Sequence, residues 1–322
     1  MTLPLKKTDK IQKGVEIILF QLGNLKKNEK VCIIVDQHTS EIGSIFQKLC
    51  DDNEIPSKTF LVSNLQMHGI EPPEEVAQTM IDSDLVLGLT SFSMAHTKAR
   101  KNASFNKTRY LSLPNYSVDV LSHESLTANF EKLSKNALFV SNKFSKGKKI
   151  SISTEKGTSI TFDISGRKGN FAPGFVNDTI LLGSPPHIEA NIAPIENNSN
   201  GILVVDGSIP IPQIGKLDES VILEIKNGSI ISIDGTSKQT KILQTMFEKY
   251  GPKSRVLAEL GIGFNNLSKI CGNMLIDEGT FGTFHCGFGS NSTIGGLNEI
   301  NFHLDFVFKC DELKIDNQTI KL

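Results

Sequence analysis

His285 and His303, two of seven histidines in the chain, each sit in a run that alternates like a β-strand. In Asn301-Phe302-His303-Leu304-Asp305-Phe306 the two-residue period puts Phe302, Leu304 and Phe306 on one face, with His303 and Asp305 on the other. In Thr283-Phe284-His285-Cys286-Gly287-Phe288 the same rule turns Phe284, Cys286 and Phe288 inward and leaves His285 opposite. A third run, Val256 to Ile262, carries Glu259 on the face opposite Ala258, Leu260 and Ile262. Three strands with apolar backs thus present a Glu, a His and a His-x-Asp pair. Imidazole and carboxylate together suit a hard or borderline divalent metal. The ordinary alternative is a packed, hydrogen-bonded histidine and one satisfied surface pair. Glycine-rich turns beside both histidines, and the scarcity of histidine elsewhere, favour the metal.

This segment resembles the C-terminal part of the M29 (aminopeptidase T/S-like) metallopeptidase family. AELGIGFN (258–265), DEGTFGTFHCGFGSN (277–291) and GGLNEINFHLDF (295–306) carry the resemblance. Upstream, PHIEANIAP (186–194) is similar to the family's GEVFxAP segment, and IENNSNGILVVDGSI (195–209) to the strand after it. The resemblance implies metal ligands at Glu189, Glu259, His285, His303 and Asp305. Such a set suits two adjacent divalent ions (zinc, cobalt, manganese or magnesium) with a carboxylate bridging them. One ion then polarises a scissile carbonyl and both acidify a bound water. The implied activity is that of a metallo-aminopeptidase, a homodimer that removes N-terminal residues from peptides. Glu278 is the candidate for proton transfer. Asn298 and Glu299 are placed to orient the His-x-Asp strand, while Glu196 reads as a turn residue. The family carries a tyrosine soon after the histidine matched by His285, and residues 287–294 contain none.

The rival reading is a ring-cleaving dioxygenase. His285, His303 and Asp305 alone make a two-histidine, one-carboxylate set for a single non-haem Fe(II), and pyridine-ring dioxygenases resemble M29 proteins in fold. The orientation of Glu189 and Glu259 separates the two. If both point at the metal, two-ion hydrolysis is favoured; if neither does, one iron is. A metal-free descendant that only binds a ligand is a third reading.

The elements that must position these residues divide into two parts. Thr8 can cap a helix through Ile11, Val15, Ile18, Leu19 and Leu22, ended by Gly23 and Asn24. Apolar strands are expected at Lys30–Val35, Thr59–Val62, Leu85–Leu89 and Tyr110–Leu113, with helices from Ser40, Pro73 and the stretch after Phe92. Strand and helix alternate, which predicts a doubly wound parallel sheet. The turn after the first strand, Asp36-Gln37-His38-Thr39, lacks the glycines of a nucleotide site, and no Walker lysine motif occurs. His38 and His96 read as loop residues near strand ends. From Lys148 the character becomes β, with a hairpin at 150–164, an Asn227-Gly228 turn and a helix from Ser237 to Gly251. The fold class is α/β, with a parallel-sheet domain over 1–135 and a β-rich α+β metal-site domain over 136–322.

With 322 residues and a net charge of −1, the chain can bury a proper core and offers no basic surface for nucleic acid or anionic lipid. No apolar run is long enough to span a bilayer, and Met1 to Lys7 contains no apolar core of a secretory leader. Cys32, Cys50, Cys271, Cys286 and Cys310 show no CxxC spacing, which suits reduced thiols in a cytoplasmic protein. Other catalytic classes lack their signatures: there is no Gly-x-Ser-x-Gly elbow and no His-Glu-x-x-His helix. The substrate is expected to be a peptide or a small molecule.

Overall fold

The computed structural model describes residues 7–63, 65, 67–310 and 312–322, so most of the stretch expected to lack a leader, residues 1–6, lies outside it. Contacts divide the chain into two units, one running to Ala128 and including Pro173–Pro185, the other made of Asn129–Ala172 and Pro186–Leu322. Among the described residues no helix is long and apolar enough to cross a membrane.

The first unit is built on β1 (Val31–Val35), β2 (Ser57–Leu61), β3 (Leu85–Leu89) and β4 (Arg109–Ser112). They pair in the order β2-β1-β3-β4, all parallel, because each is followed by a crossover helix. The helices are α1 (Lys7–Glu16), α2 (Ser40–Asp52), α3 (Glu74–Ile81) and α4 (Lys98–Phe105), then a short α5 (Val118–Leu121). Thr8 lies inside α1 rather than capping it, and a π-helical stretch, Ile17–Leu22, continues that helix. β1 and β3 are buried along their whole length, whereas β2 is a half-exposed edge. The order reverses between β1 and β3, the crevice where nucleotide folds bind ligand. Here it holds the fully buried Asp36 carboxylate, which accepts the Ser91 and His38 N–H groups at 2.6 and 3.1 Å.

The boundary expected near residue 135 falls inside α6 (Phe130–Lys146), and that helix goes whole with the second unit. The reason is its buried face, Phe130, Leu133, Ala137, Val140 and Phe144, which a boundary in mid-helix would split. After α6 come β5 (Lys149–Ser153), β6 (Ser159–Asp163) and β7 (Asn170–Ala172). A brief β8 (Leu182–Gly183) extends the first unit's sheet beside β4. Then follow β9 (Glu189–Ile192), β10 (Asn200–Val205), β11 (Ser208–Ile209), β12 (Gly215–Lys216), β13 (Val221–Lys226) and β14 (Ser229–Asp234). Helix α7 (Lys238–Tyr250) begins at the Ser237 cap and stops at Gly251, where φ is +75°. The chain ends with β15 (Leu257–Gly263), the single turn α8 (Met274–Asp277), β16 (Thr283–Gly289), β17 (His303–Lys309), β18 (Glu312–Ile315) and β19 (Gln318–Thr319). These strands make two antiparallel sheets, β14-β13-β10-β6-β5-β18-β19 and β12-β11-β17-β16-β15-β9-β7.

The second of these sheets carries the candidate residues. Its apolar face is the one read from the alternation: Ala258, Leu260, Ile262, Phe284, Cys286, Phe288 and Phe306 are all fully buried. Phe247 of α7 closes it, with its ring 5.5 Å from Phe302 and 6.2 Å from Phe306. Asp277 ties the turn before β16 to β11. Its buried carboxylate accepts Ser208 Oγ at 2.6 Å and the N–H groups of Cys271 and Gly272 at 2.7 and 2.8 Å. Removing it leaves the buried Ser208 hydroxyl and the part-buried Cys271 and Gly272 N–H groups without this partner, at about 1 kcal/mol each. Asp277→Ala is therefore expected to lose about 3 kcal/mol of unfolding free energy in urea titration, and a loss under about 1 kcal/mol would contradict this role.

Candidate metal centre

Strand register decides which side chains meet. On the face opposite the core, Glu259, Gly287 and Asp305 stand in line across β15, β16 and β17, and Gly261, His285 and Val307 form the next line. β9 lies on the other side of β15, with Asn191 opposite Gly261 and Glu189 opposite Gly263. Alternation keeps all of these on one face. Two groups of donors result, each within 4.8 Å: Glu189 with Glu259 and His285, and Glu259 with His303 and Asp305. All five residues expected to bind metal are thus brought together. Both Glu189 and Glu259 turn into the cluster, the arrangement associated above with two ions.

The single-iron set expected from sequence is divided. His285 belongs to one group and His303 with Asp305 to the other, because His285 pairs with Val307 and Gly287 with Asp305. A two-residue step along a strand is about 7 Å. Glu259 joins the groups, with Oε1 3.9 Å from His285 Nε2 and Oε2 3.5 Å from His303 Nε2.

Glycine makes the approach possible. A Cβ on Gly261 would lie 2.0 Å from His285 Nε2, and one on Gly287 would lie 2.7 Å from His303 Nε2 and 2.8 Å from Asp305 Oδ1. These glycines are not in turns, where the sequence reading placed the local glycine content. They sit in mid-strand, where absent side chains leave room for imidazoles.

Supporting contacts differ from those expected. His303 Nδ1 lies 2.8 Å from the Ser290 carbonyl, so that nitrogen carries the proton and Nε2 is left to face Asp305 at 3.2 Å. The Ser290 carbonyl takes the role expected of Asn298 or Glu299. Asn298 instead donates to the Gly289 and Lys253 carbonyls at 2.6 and 2.9 Å. Glu196 is more than a turn residue. It pairs with Arg167 at 2.5 Å and accepts Asn291 Nδ2 and the Leu297 N–H, which fixes the loop between β16 and β17. The loop anchor could be read from sequence only by knowing that distant Arg167 folds beside it. His187, two residues before Glu189, went unread as a site residue; its Nε2 lies 3.2 Å from Glu189 Oε2. Its spacing from Glu189 was the available signal.

The electrostatics are those of a charged cluster out of water. Glu189, Glu259, Glu278 and His285 are each less than a tenth exposed. Burial pushes the Glu189 carboxyl up, but His187 and His285 beside it hold it well below its ordinary range. Burial pulls His285 down, and Glu189 and Glu259 more than reverse this. His303 is likewise opposed by burial and carried up to about 10 by Asp305 and Glu259. Burial and the Asp305 charge push the Glu278 carboxyl well above its usual range, which favours its protonated form. Glu189 Oε2, His187 Nε2, His285 Nδ1 and Glu278 Oε1 are buried without a hydrogen-bond partner among the described residues. Glu189 Oε2 has two imidazole nitrogens within 3.2 Å, so three donors crowd together. That is how ligands of a cation are arranged, and the donor set fits a divalent metal.

Two outcomes follow from this geometry. Gly261→Ala would drive its Cβ into three atoms of the buried His285 ring and is expected to weaken metal affinity at least about tenfold in chelator competition, with folding followed alongside by circular dichroism. An unchanged affinity would show that His285 does not need this position. Metal must also displace the protons on His285 and His303, since neighbouring carboxylates raise both imidazoles above their ordinary range, His303 to about 10. Affinity is therefore expected to rise with pH, by about tenfold per unit for each proton displaced. A flat profile between pH 6 and pH 8 would rule out imidazolium in the ion-free cluster.

The comparisons with known proteins now bear on the whole chain. The chain is similar to 2,5-dihydroxypyridine dioxygenase from Pseudomonas putida KT2440, with a TM-score of 0.78 and 16% identity over 99% of this chain and 97% of that one. It is also similar to wild-type AmpT from Thermus thermophilus, with a TM-score of 0.67 and 11% identity over 96% and 95%. At these identities the likeness is one of fold, and the resemblance to M29 metallopeptidases stands at that level. No curated protein sequence matches the chain. The model of an enzyme family described as NicX, 2,5-dihydroxypyridine 5,6-dioxygenase, matches residues 10–321, and the chain therefore belongs to that family.

Proposed function

We propose that the protein is a mononuclear non-haem Fe(II) dioxygenase that opens a hydroxylated, pyridine-type aromatic ring. The family match over residues 10–321 carries this reading. The buried histidine and carboxylate donors of one sheet face support it, being the ligand types such an iron takes. When bound, the ion would supply a binding place for dioxygen and for an acidic ring hydroxyl. The chain's own residues supply the rest. Asn191 Nδ2 donates to Glu189 Oε1 at 2.6 Å and fixes that carboxylate. The Ser290 carbonyl holds His303 in the tautomer that keeps Nε2 toward the cluster. Glu278, a buried carboxyl pushed toward its protonated form and with no partner at Oε1 among the described residues, is proposed as the group that delivers a proton to the opened ring.

One observation favours a second reading, the two-ion aminopeptidase. The two oxygens of Glu259 face different donor groups, as a bridging carboxylate would. Metal content decides between them. Protein purified anaerobically without added metal should hold about one iron per chain and consume oxygen with 2,5-dihydroxypyridine. About two equivalents of zinc, cobalt or manganese, with release of N-terminal residues from unblocked peptides, would replace this with the hydrolase. No metal, and none taken up on titration, defeats both.

A further inference from the structure

We infer that Asn170 is a positioning residue of the metal centre: through Asn191 it carries the fixed orientation of the β16–β17 loop to the Glu189 carboxylate. The inference holds on either reading of the reaction, since it concerns how the cluster is held and not what the ion does. β7 pairs with β9 antiparallel, with Asn170 opposite Asn191 and Ala172 opposite Glu189. Asn170 Nδ2 lies 3.1 Å from the Ile294 carbonyl and 3.2 Å from Asn191 Oδ1. Asn191 Nδ2 in turn lies 2.6 Å from Glu189 Oε1.

This row of groups has a direction. A backbone carbonyl can only accept, so Ile294 decides which end of the Asn170 amide faces it. One hydrogen of the Asn170 amide goes to Ile294 and the other to Asn191 Oδ1. That turns the Asn191 amide so that its nitrogen, not its oxygen, faces Glu189. Glu189 Oε1 is thereby offered a donor, and Oε2 is left toward His285 Nε2 at 3.1 Å. A plain cross-strand asparagine pair would let both amides turn over together, and the Ile294 carbonyl removes that freedom. Asn191 is 7% exposed, so solvent offers it little in place of Asn170.

The carbonyl is itself held. Arg167 Nη1 donates to the adjacent Gly295 carbonyl, and Arg167 pairs with Glu196 at 2.5 Å. Glu196 accepts the Leu297 N–H at 2.6 Å and Asn291 Nδ2 at 3.0 Å. The Ile294 N–H donates to the Asn291 carbonyl at 3.1 Å. The loop is thus pinned on both sides of Ile294. Near its start, Ser290 gives its carbonyl to His303 Nδ1. One loop therefore orients a side chain in each donor group, His303 directly and Glu189 through two amides.

The test titrates the full chain with ferrous iron alone, anaerobically and against a chelator. Asn170→Asp keeps the shape of the side chain and removes both hydrogens. Its carboxylate draws the Asn191 nitrogen toward itself and turns the Asn191 oxygen onto Glu189. Ferrous binding is expected to weaken at least about tenfold. A negative charge acting through space would strengthen binding instead, so the sign separates the relay from simple charge. In an Asn191→Ala background the relay is absent, and Asn170→Asp should then cause no further loss. Unchanged or tighter binding in Asn170→Asp, or an undiminished loss in the Asn191→Ala background, overturns the inference. Circular dichroism follows the folding of each variant. A neutron structure of the metal-free wild type needs no variant. Deuterons are expected on the Asn170 nitrogen toward Ile294 and Asn191, and on the Asn191 nitrogen toward Glu189. An Asn191 amide turned the other way overturns the inference and leaves the dioxygenase reading in place.

Discussion

Three carboxylates and two imidazoles, Glu189, Glu259, Asp305, His285 and His303, share one face of one sheet, with His187 and Glu278 beside them, most of them withdrawn from water. Isolated, each buried charge would cost several kcal/mol and would neutralise instead. Within the cluster Glu189 is kept ionised by His187 and His285, and Asp305 by His303, while burial and neighbouring carboxylates push Glu259 and Glu278 toward their neutral forms. The rest of the second unit can be understood as what keeps this cluster assembled. A divalent cation is the natural completion, because it replaces the protons that the imidazoles otherwise carry.

The sheet achieves assembly through register and through missing side chains. Antiparallel pairing places Glu259, Gly287 and Asp305 in one line and Gly261, His285 and Val307 in the next. A slip of one residue in any of these strands would send its ligands into the apolar core. Phe284, Cys286, Phe288 and Phe306 oppose such a slip, because each would then be turned out toward the polar cluster. Gly261 and Gly287 give up packing area so that imidazoles can lie against the backbone, a local weakness tolerated where ligand geometry requires it.

The family match and the donor geometry bear on different questions. The family concerns the chemistry of the ring and dioxygen, while the geometry concerns how donors are shared between two groups. Glu259 has a role on either reading, as the link between the two groups.

Much of this was legible in the chain itself. Period-two alternation identified the three site strands and their inward phenylalanines, and the strand–helix alternation identified the parallel sheet. Those signals are local, because side-chain direction in a strand depends only on position parity. The motifs around Glu189, Glu259, His285, His303 and Asp305 located the donors before any contact was known. What the sequence could not supply was pairing between strands far apart in the chain. Register alone separated His285 from His303 and put Ser290 rather than Asn298 behind His303. Likewise, the α6 face sent that helix to the second unit, and Arg167 found Glu196 only in three dimensions. The sequence determined which residues face the metal side of each strand; the tertiary structure decided which of them meet, because contact across a sheet is fixed by hydrogen-bond register and not by spacing along the chain.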